Sequence, residues 1–371
     1  MRIGIDIREL EKGKATGIGS YLLDFLRFAA ENKKEWEFVL FGNQDTRIDI
    51  EAPNFKKVYI PEHFTPWWDQ IKLPHYLKRE GVDVFLTPYM KVPFFAPCKF
   101  VVIINDLIPF LFPGYQDFKS IPSRMYFKTL GKRAVKRAER IVAISNHSKK
   151  DILNMFKVPK EKVEVIHLNV DESYRPVDPG ASVSRYGIDG KYILYFGNFN
   201  PHKNVNTLIE AYHGLPEDIK SEYRLVLGGK KNRYCADIEE TVRRLKMADR
   251  VHFTGFIPEE DLPSIYSAAS LFVFPSLYEG FGLPPLEAMA CGVPVICSDA
   301  TSLPEVVGKA AILVNPKDVQ EITNAMEKVL RDNTLRQELI DKGLERAREF
   351  RGEKAASKLF ELIGSNTVGR H

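Results

Sequence analysis

Two glutamates, Glu279 and Glu287, stand eight positions apart in the stretch EGFGLPPLE, with glycines and prolines between them. Glycine lets a backbone approach a ligand closely, and proline is tolerated in the first turn of a helix. The stretch is typical of a loop that opens a helix and aims backbone N–H groups at a bound molecule. We expect Glu279 in the loop and Glu287 in the first helical turn, where a carboxylate can accept two sugar hydroxyls. The alternative for Glu287 is a surface carboxylate that complements the helix dipole.

A second stretch, YFGNFNPHKN, also follows an apolar run and precedes an amphipathic one. Gly197 permits close backbone approach, and Lys203 stands at the expected helix start, where it could hold a diphosphate against the helix dipole. Asn204 could cap that helix. Alone, Lys203 could equally be a surface lysine, and His202 a structural or exposed side chain.

Two loops of the front half are weaker candidates. The GIG turn at Gly17–Gly19 follows the first predicted strand, but Leu22 stands where the third glycine of a dinucleotide-binding motif belongs. This disfavours a nicotinamide-dependent dehydrogenase. The turn could border a substrate or serve only the start of a helix. Asn105 and Asp106 directly follow another apolar run, and the alternative for Asp106 is a helix or turn cap.

Short apolar runs alternate with amphipathic stretches along most of the chain. Apolar strands alternating with helices predict parallel sheets covered on both faces. The predicted strands are 2–6, 37–41, 57–60, 83–86, 100–104, 140–144, 162–166, 191–197, 223–229, 250–255, 271–275, 293–297 and 310–314. The predicted helices are 18–31, 67–79, 119–138, 146–156, 203–214, 235–246, 259–268, 284–291, 317–330 and a charged tail at 333–364.

The periodic pattern breaks at 167–190, which is rich in Pro, Gly and polar residues and predicts an interdomain connection. We therefore expect an α/β protein of two doubly wound, Rossmann-like domains facing across a cleft. The predicted boundaries are 1–170 for the first domain and 171–350 for the second. A C-terminal helix at 351–371 would pack back on the first domain. Ligands of such sheets bind beyond the carboxyl ends of the strands.

Composition narrows the function classes. With 371 residues, 44% hydrophobic and 27% charged, the chain is neither disordered nor collagen-like. It has no apolar run of about 20 residues and no recognisable secretory signal. Four cysteines without a C-x-x-C pair indicate reduced thiols in a cytoplasmic protein. Residues 1–170 hold 28 Lys and Arg against 20 Asp and Glu, a net +8, whereas the remainder is −4. The front half is therefore suited to an anionic partner.

These motifs together resemble the family 4 retaining glycosyltransferases, which have the GT-B fold. The resemblance rests on EGFGLPPLE read as an E-x7-E motif, on PHKN and FTGFIP in register, and on five further segments in the same order. Those segments are DIRELEKGKATGIGSY, NDLIPFLFP, ISNHSKKDI, DLPSIYSAASLFVFPS and SLPEVVG, and the likeness covers roughly residues 1–350.

The resemblance implies a role for each matched residue. Glu287 would bind the donor ribose, Glu279 would approach the transferred sugar, and Lys203 would bind the phosphates. The implied catalytic residues are Glu279, Lys203, Asn105 and Asp106. The implied donor-binding residues are Gly17, Ile18, Gly19, Gly197, Asn198, Lys203, Phe256, Ile257, Glu279, Gly280, Phe281, Gly282, Leu283 and Glu287.

Two positions depart from the family pattern. Asn198 stands where many members have Arg. With Asn at this position, the sequence resembles the subset of the family that uses GDP-linked mannose or rhamnose. Asn105 stands where members often have His, and an amide cannot exchange a proton near neutral pH. Either its role is hydrogen bonding alone, or the protein is a weakened, inert nucleotide-sugar binder.

The implied reaction is retaining transfer of a hexose, mannose, from a GDP donor to a glycan or lipid-linked saccharide. A UDP or ADP donor is the alternative. The nucleotide sugar is a co-substrate, and neither a cofactor, a metal nor a nucleic acid is expected. The residues RMYFKTLGKRAVKRAERI (124–141) predict a basic helix, and Trp67–Trp68 and Phe94–Phe95 add two aromatic pairs to the same half of the chain. Contact with the inner face of a membrane is one hypothesis, and a solvated basic face with buried aromatic residues is the other.

Overall fold

The computed structural model of the 371-residue chain describes residues 1–11, 17–88, 90, 92–112, 121–180 and 182–365, without the side chains of 17 and 121–128. The chain divides into two compact units. Unit 1 comprises Met1–Phe110, Gln116–Asn169 and Gly352–His371, and unit 2 comprises Leu111–Tyr115 and Val170–Arg351. Apart from Leu111–Tyr115, the chain passes from unit 1 to unit 2 after Asn169 and returns to unit 1 at Gly352.

The first unit is built on a seven-stranded parallel sheet with strand order β3-β2-β1-β4-β5-β6-β7. Its strands are rich in Ile, Val, Leu and Phe and are mostly buried, as strands covered on both faces must be. They are β1 (Arg2–Asp6), β2 (Glu37–Gly42), β3 (Phe55–Tyr59), β4 (Val84–Thr87), β5 (Lys99–Ile104), β6 (Arg140–Ala143) and β7 (Val163–Val165).

Helices connect these strands. They are α1 (Gly17–Asn32), α2 (Thr65–Trp67), a π-helical turn (Trp68–Lys72), α3 (Leu73–Arg79), α4 (Ile108–Leu111), α5 (Ile121–Arg137) and α6 (Asn146–Phe156).

The second unit repeats the arrangement with a six-stranded parallel sheet of order β10-β9-β8-β11-β12-β13. Its strands are β8 (Lys191–Phe196), β9 (Tyr223–Gly228), β10 (Val251–Gly255), β11 (Leu271–Phe274), β12 (Val295–Ser298) and β13 (Ile312–Val314). Its helices are α7 (Val205–His213), α8 (Glu217–Glu222), α9 (Cys235–Arg244), α10 (Leu262–Ser267), α11 (Leu283–Ala290), α12 (Leu303–Val307), α13 (Val319–Arg331) and α14 (Asn333–Glu349).

The last helix belongs to the first unit. Helix α15 (Lys354–Ser365) lies against α1, where the rings of Phe360 and Phe25 stack with centroids 4.5 Å apart. Trp36 meets Phe360 edge-on at 5.4 Å. Stacked and edge-on aromatic pairs at these distances add to the apolar burial that holds α15 in place.

The predicted α/β class with two doubly wound sheets is confirmed. Both sheets place their first strand beside their fourth, so each has a switch point where the strand order reverses, between β1 and β4 and between β8 and β11. All thirteen predicted strands form, with ends shifted by one or two residues. The cleft expected between the two domains stays a prediction.

Several helices differ from the sequence-based expectation. Short helices α4, α8 and α12 were not anticipated, because four to six residues are too few to show a helical period. The charged tail is two helices, separated near Gly352, whose φ of 80° is costly for other residues. Among the described residues, no helix has both the length and the apolar character that a bilayer-crossing segment requires.

Candidate active site

The loops that carry the sequence motifs of unit 2 leave the sheet at its switch point. Strands β8 and β11 are direct neighbours, paired through Ile193 and Leu271. Parallel strands end at the same edge of the sheet, so the loops after β8 and β11 emerge side by side. This edge is where doubly wound sheets bind their ligands.

A buried ion pair joins these two loops. Lys203 Nζ lies 2.6 Å from Glu279 Oε1, and the residues are only 8% and 7% exposed. The ammonium also lies 5.1 Å from the centroid of the Phe274 ring. A charged group this deeply buried requires a partner of opposite charge, and Lys203 and Glu279 are partners for each other. The structure therefore brings together two of the predicted site residues, which stand 76 positions apart in the sequence.

The turn before α7 positions Lys203. Residues Pro201–Lys203 form one 3₁₀ turn, and Asn204 follows in the left-handed conformation with φ of 60°. The Asn204 amide donates to the carbonyls of Pro275 and Pro316 at 3.1 and 2.6 Å, which ties the turn to the neighbouring loops. Asn204 stands at the N-cap position of α7 as predicted, but its Oδ1 accepts the Thr207 hydroxyl and makes no bond to a helix N–H.

His202 is buried at 3% exposure beside Lys203. Burial, and secondarily the charge of Lys203, lower the pKa of its imidazole to about 3. The ring is therefore neutral at physiological pH. The backbone carbonyl of His202 accepts the Leu277 N–H at 2.7 Å. These contacts give His202 a structural role in the turn.

Two residues that the sequence reasoning missed hold the Glu279 loop. Thr301 Oγ1 accepts the Glu279 N–H at 3.0 Å, and Ser302 Oγ contacts the carbonyls of Glu279 and Phe281 at 3.0 and 2.6 Å. Thr301 has a φ of 56°, which is rare for a β-branched residue and indicates local strain. For Ser302 the available signal was the segment SLPEVVG (302–308), which the resemblance included without assigning it a role.

Gly282 is fixed by a close approach of α12. Its φ is 124°, and a Cβ there would lie 2.6 Å from Leu303 Cδ2, so another residue would be strained. Helix α11 begins at the next residue, Leu283, with Pro284 and Pro285 in its first turn as predicted. Gly280 and Phe281 are buried, and the Phe281 ring packs edge-on against Phe350 at 5.7 Å.

Glu287 lies just beyond the first turn of α11, in which it was predicted to lie. Because the helix begins at Leu283, Glu287 is its fifth residue, and the argument from the helix dipole is correspondingly weaker. Its Oε2 accepts the Tyr266 hydroxyl at 2.9 Å. Burial is the main cause that raises the pKa of Glu287 to about 7, although the Tyr266 hydrogen bond acts in the opposite direction. The carboxylate is thus poised to change charge near neutral pH.

The end of β8 approaches the end of β9 very closely. The Tyr195 hydroxyl donates to the Asn198 carbonyl at 2.6 Å, and a Cβ at Gly229 would lie 2.0 Å from the Gly197 carbonyl oxygen. Only glycine fits at Gly229, with its φ of 144°. Sequence reasoning singled out Gly197 and missed Gly229, although the pair Gly228–Gly229 directly ends a predicted strand.

Two of the implied donor-binding residues, Phe256 and Ile257, differ in exposure. After β10, Phe256 is exposed and Ile257 is buried. The Ile257 side chain lies near Gly228, at the end of β9. The loop is thus anchored by Ile257 and presents Phe256 to solvent, where a ring could stack on a planar base.

In unit 1, Asn105 and Asp106 follow β5 as expected. The Asn105 amide donates to the Pro88 carbonyl, at the end of β4, at 3.3 Å. Asp106 Oδ1 accepts the Ile108 N–H at 2.9 Å, so its capping role at α4 is real. Gly17, Ile18 and Gly19 form the first turn of α1 rather than a preceding loop, while residues 12–16 lie outside the described part.

Among the residues that the structure describes, no group of three or more His, Cys, Asp or Glu side chains could hold a metal ion.

The sequence is similar to family models and to known proteins. The family model described as "Glycosyltransferase Family 4" matches residues 15–174, and "Glycosyl transferases group 1" matches residues 184–346. The O-antigen chain mannosyltransferase B of Escherichia coli is 34% identical over 365 residues, covering 92% of this chain and 94% of the relative.

Solved structures share the fold across the whole chain. Sucrose-phosphate synthase from Thermosynechococcus elongatus matches with a TM-score of 0.79 and 22% identity over 98% of both chains. Anabaena Alr3699/HepE in complex with UDP-glucose matches with a TM-score of 0.77 and 17% identity, over 98% of this chain and 100% of the other. At these identities the likeness shows the fold alone, and that fold is GT-B.

Proposed function

The chain belongs to glycosyltransferase family 4, and from that premise we propose that it transfers mannose from GDP-mannose to a saccharide, with retention of anomeric configuration. The acceptor in this proposal is a glycan or a lipid-linked saccharide. Mannose is supported by the mannosyltransferase relative, and GDP by the GNFNPHKN sequence, in which Asn198 replaces the more common Arg. That the protein is a hexosyltransferase follows from the family itself.

The observation that carries the proposal is the buried Lys203–Glu279 pair at the switch point of unit 2. An ammonium has three N–H donors, and Glu279 takes one of them. A donor diphosphate would bring negative charge to the same edge of the sheet. There its phosphate oxygens would either join Glu279 as partners of the Lys203 ammonium or replace it. Glu279 would then turn toward the transferred sugar.

The reaction breaks the bond between the sugar anomeric carbon and the phosphate oxygen. A new bond forms from the same carbon to an acceptor hydroxyl oxygen, and the hydroxyl proton passes to the departing phosphate. Lys203 and the first turn of α11 would stabilise the negative charge that develops on the diphosphate. Positive potential that is organised in advance, away from water, is usually the largest contribution to such a step.

Glu287 would bind the donor ribose. An ionised carboxylate accepts two hydroxyl hydrogen bonds more strongly than a neutral one. Because the pKa of Glu287 is raised to about 7 in the ligand-free protein, donor binding would favour its ionisation. Donor affinity should therefore increase as pH rises through about 7.

The nucleotide is tested by thermal-shift measurements with GDP, UDP and ADP. We expect GDP to raise the melting temperature most. Stabilisation by UDP or ADP alone would show that the donor carries a different base, and it would leave the fold and family assignment unchanged. Proton NMR of the product anomer tests retention, since a product of inverted configuration contradicts it.

An inert nucleotide-sugar binder is the second candidate, because Asn105 cannot exchange a proton and its amide is held by the Pro88 carbonyl. Release of GDP from GDP-mannose, with and without acceptor, separates the two. Turnover by the wild-type protein excludes the inert binder. If the wild type is inactive but Asn105→His restores turnover, the inert binder is correct.

Two further parts of the proposal are that no metal is needed and that the protein works in the cytoplasm. Lys203 supplies a positive charge of the kind that a divalent ion supplies elsewhere, so turnover should be unchanged by a chelator. All four cysteines are free thiols, as in proteins of reducing compartments.

A further inference from the structure

Four large apolar side chains of unit 1 are exposed. Phe95 is 81% exposed, Phe64 65%, Trp67 55% and Ile71 51%. Single apolar side chains on a surface are ordinary, whereas several in one place mark an interaction site. The other large apolar side chains that are exposed among the described residues are Tyr59, Leu111 and Phe256.

Three of the four belong to a single segment. Trp67 and Ile71 are four residues apart, which places their side chains on the same face of the helical stretch 65–79, and Phe64 directly precedes its first residue. The opposite face is anchored in the core, where Trp68 and Leu73 are fully buried. The exposed side chains are therefore held outward by a well-packed helix.

The fourth side chain lies on an adjacent loop. Gln70, from the same helical segment, accepts the Phe94 N–H at 2.8 Å and donates to the Val92 carbonyl at 3.4 Å. These two bonds bring the loop that carries Phe95 against the segment that carries Trp67 and Ile71.

A basic helix face adjoins the loop. The Arg133 guanidinium lies 5.0 Å from the Phe94 ring centroid and 5.9 Å from that of Phe95, and Arg137 donates to the Phe94 carbonyl. On the described part of α5, four exposed cations share one face while the opposite face is buried. They are Lys132, Arg133, Lys136 and Arg137. The sequence of α5 contains no acidic residue.

We propose that these groups form a docking surface for an anionic lipid bilayer. The aromatic–basic surface consists of Phe64, Trp67, Ile71 and Phe95 together with the four cations of α5. Aromatic and aliphatic side chains would enter the headgroup region, while the lysines and arginines attract anionic headgroups. The proposal concerns unit 1 and is independent of the donor chemistry of unit 2.

Charge complementarity selects the lipid surface over a second copy of the chain. A symmetric dimer through this surface would place the four cations of one α5 near the same four of its partner. Like charges repel, whereas an anionic leaflet neutralises them.

The surface differs from the one expected from sequence. Trp68 is fully buried and Phe94 is half-buried, so one member of each aromatic pair is available. Arg140 opens β6 and is not part of the helix, and the side chains of Arg124, Met125, Phe127 and Lys128 lie outside the described part.

The test is flotation of the full-length protein with vesicles of phosphatidylglycerol and phosphatidylethanolamine, and with phosphatidylcholine vesicles alone. Wild type should float with the anionic vesicles at low salt, less at high salt, and not with phosphatidylcholine. Lys132→Gln/Lys136→Gln should weaken binding roughly 30-fold, about fivefold for each cation. Trp67→Gln/Phe95→Gln should weaken it by roughly tenfold or more.

The matched charge control is Arg243→Gln/Arg244→Gln, which removes two exposed cations from α9 in unit 2 and should float like wild type. Melting curves and GDP binding of each variant show whether the fold and the donor site remain intact. Wild type that stays unbound, or binding that neither surface variant weakens, overturns the proposal. So does a wild-type dimer that Trp67→Gln/Phe95→Gln converts to monomer.

Discussion

The two sheets bury charge at the same place and in different ways. In unit 1, Arg8 lies just beyond β1, and its guanidinium contacts Asp6 at 2.7 Å, Asp69 at 2.8 Å and Glu62 at 3.4 Å. It also stacks on Trp68, with 3.6 Å between the guanidinium carbon and the ring centroid. In unit 2, just beyond β8, Lys203 has one carboxylate, Glu279.

The pKa of Glu62 shows how tightly the Arg8 network is satisfied. Burial alone would raise it, but hydrogen bonds from Thr65 and Asn43 and the charge of Arg8 hold the pKa of this carboxyl below its ordinary value. Three carboxylates around one planar guanidinium use its fixed fork of donors in several directions.

Under the proposed function, the difference separates a structural lock from a pair that binds the donor. Arg8 is held on several sides, so the end of β1 is rigid. Lys203 carries its charge on a flexible stem and shares it with one carboxylate, which a ligand can replace or join. The same position in two similar sheets is thus stabilised in one unit and kept adaptable in the other. The following variants would break or sharpen this comparison.

Arg8→Met should cause the largest loss of stability. Removing the guanidinium leaves Asp6 and Asp69 buried without its charge, which should lower the free energy of unfolding by about 3–5 kcal/mol in urea titrations. Arg79→Met, at an ion pair whose arginine is 50% exposed, is the control and should change the free energy of unfolding far less. If Arg8→Met is as stable as wild type, the lock does not exist.

Lys203→Ala should remove activity more than stability. Under the proposed function, loss of the charge that would face the leaving diphosphate should reduce kcat/KM for GDP-mannose about 100-fold or more, corresponding to about 3 kcal/mol. Lys231→Ala removes a half-exposed lysine that pairs with Glu239 on the same unit, and it should turn over at the wild-type rate. Unchanged turnover by Lys203→Ala would show that the pair is as structural as the Arg8 network.

Glu287→Gln should flatten the dependence of stability on pH. The folded pKa of about 7 exceeds the ordinary 4.5, so the folded state holds the proton more tightly. This contribution is complete below pH 4.5 and is lost as pH rises through about 7, a change of about 3 kcal/mol. Melting temperatures across this range should fall less in Glu287→Gln than in wild type. Glu338→Gln, at an exposed pair with Lys342, should keep the wild-type slope.

Ser302→Ala should have the smallest effect. It removes the hydroxyl that contacts the carbonyls of Glu279 and Phe281, at a cost of about 1–2 kcal/mol. Because these contacts position Glu279, KM for the donor should rise, and Ser302→Thr should restore part of the loss. Ser221→Ala, which removes a surface bond to the Asp218 carbonyl, should leave KM unchanged. Equal KM in both variants would mean that Ser302 does not position the loop.

Much of the fold was predictable because the apolar pattern of a strand or helix is visible in a short stretch of sequence. Every strand of both sheets was located from apolar runs, and α6 was located to the residue at Asn146–Phe156. The π-helical turn at Trp68–Lys72 was not predicted, since its spacing differs only slightly from that of an α-helix. Likewise, two adjacent tryptophans gave no indication that Trp68 would be buried and Trp67 exposed.

The sequence alone located the candidate loops of the site, because glycines, prolines and polar residues directly follow apolar strands there. Tertiary structure decided which side chains meet. Lys203 finds Glu279 because β8 lies beside β11 although two strands separate them in the chain. Thr301 and Ser302 reach the same loop from the segment after β12. The order of strands depends on how the whole sheet packs, and it brings distant residues together. The spacing of residues within a short stretch of sequence does not reveal that order.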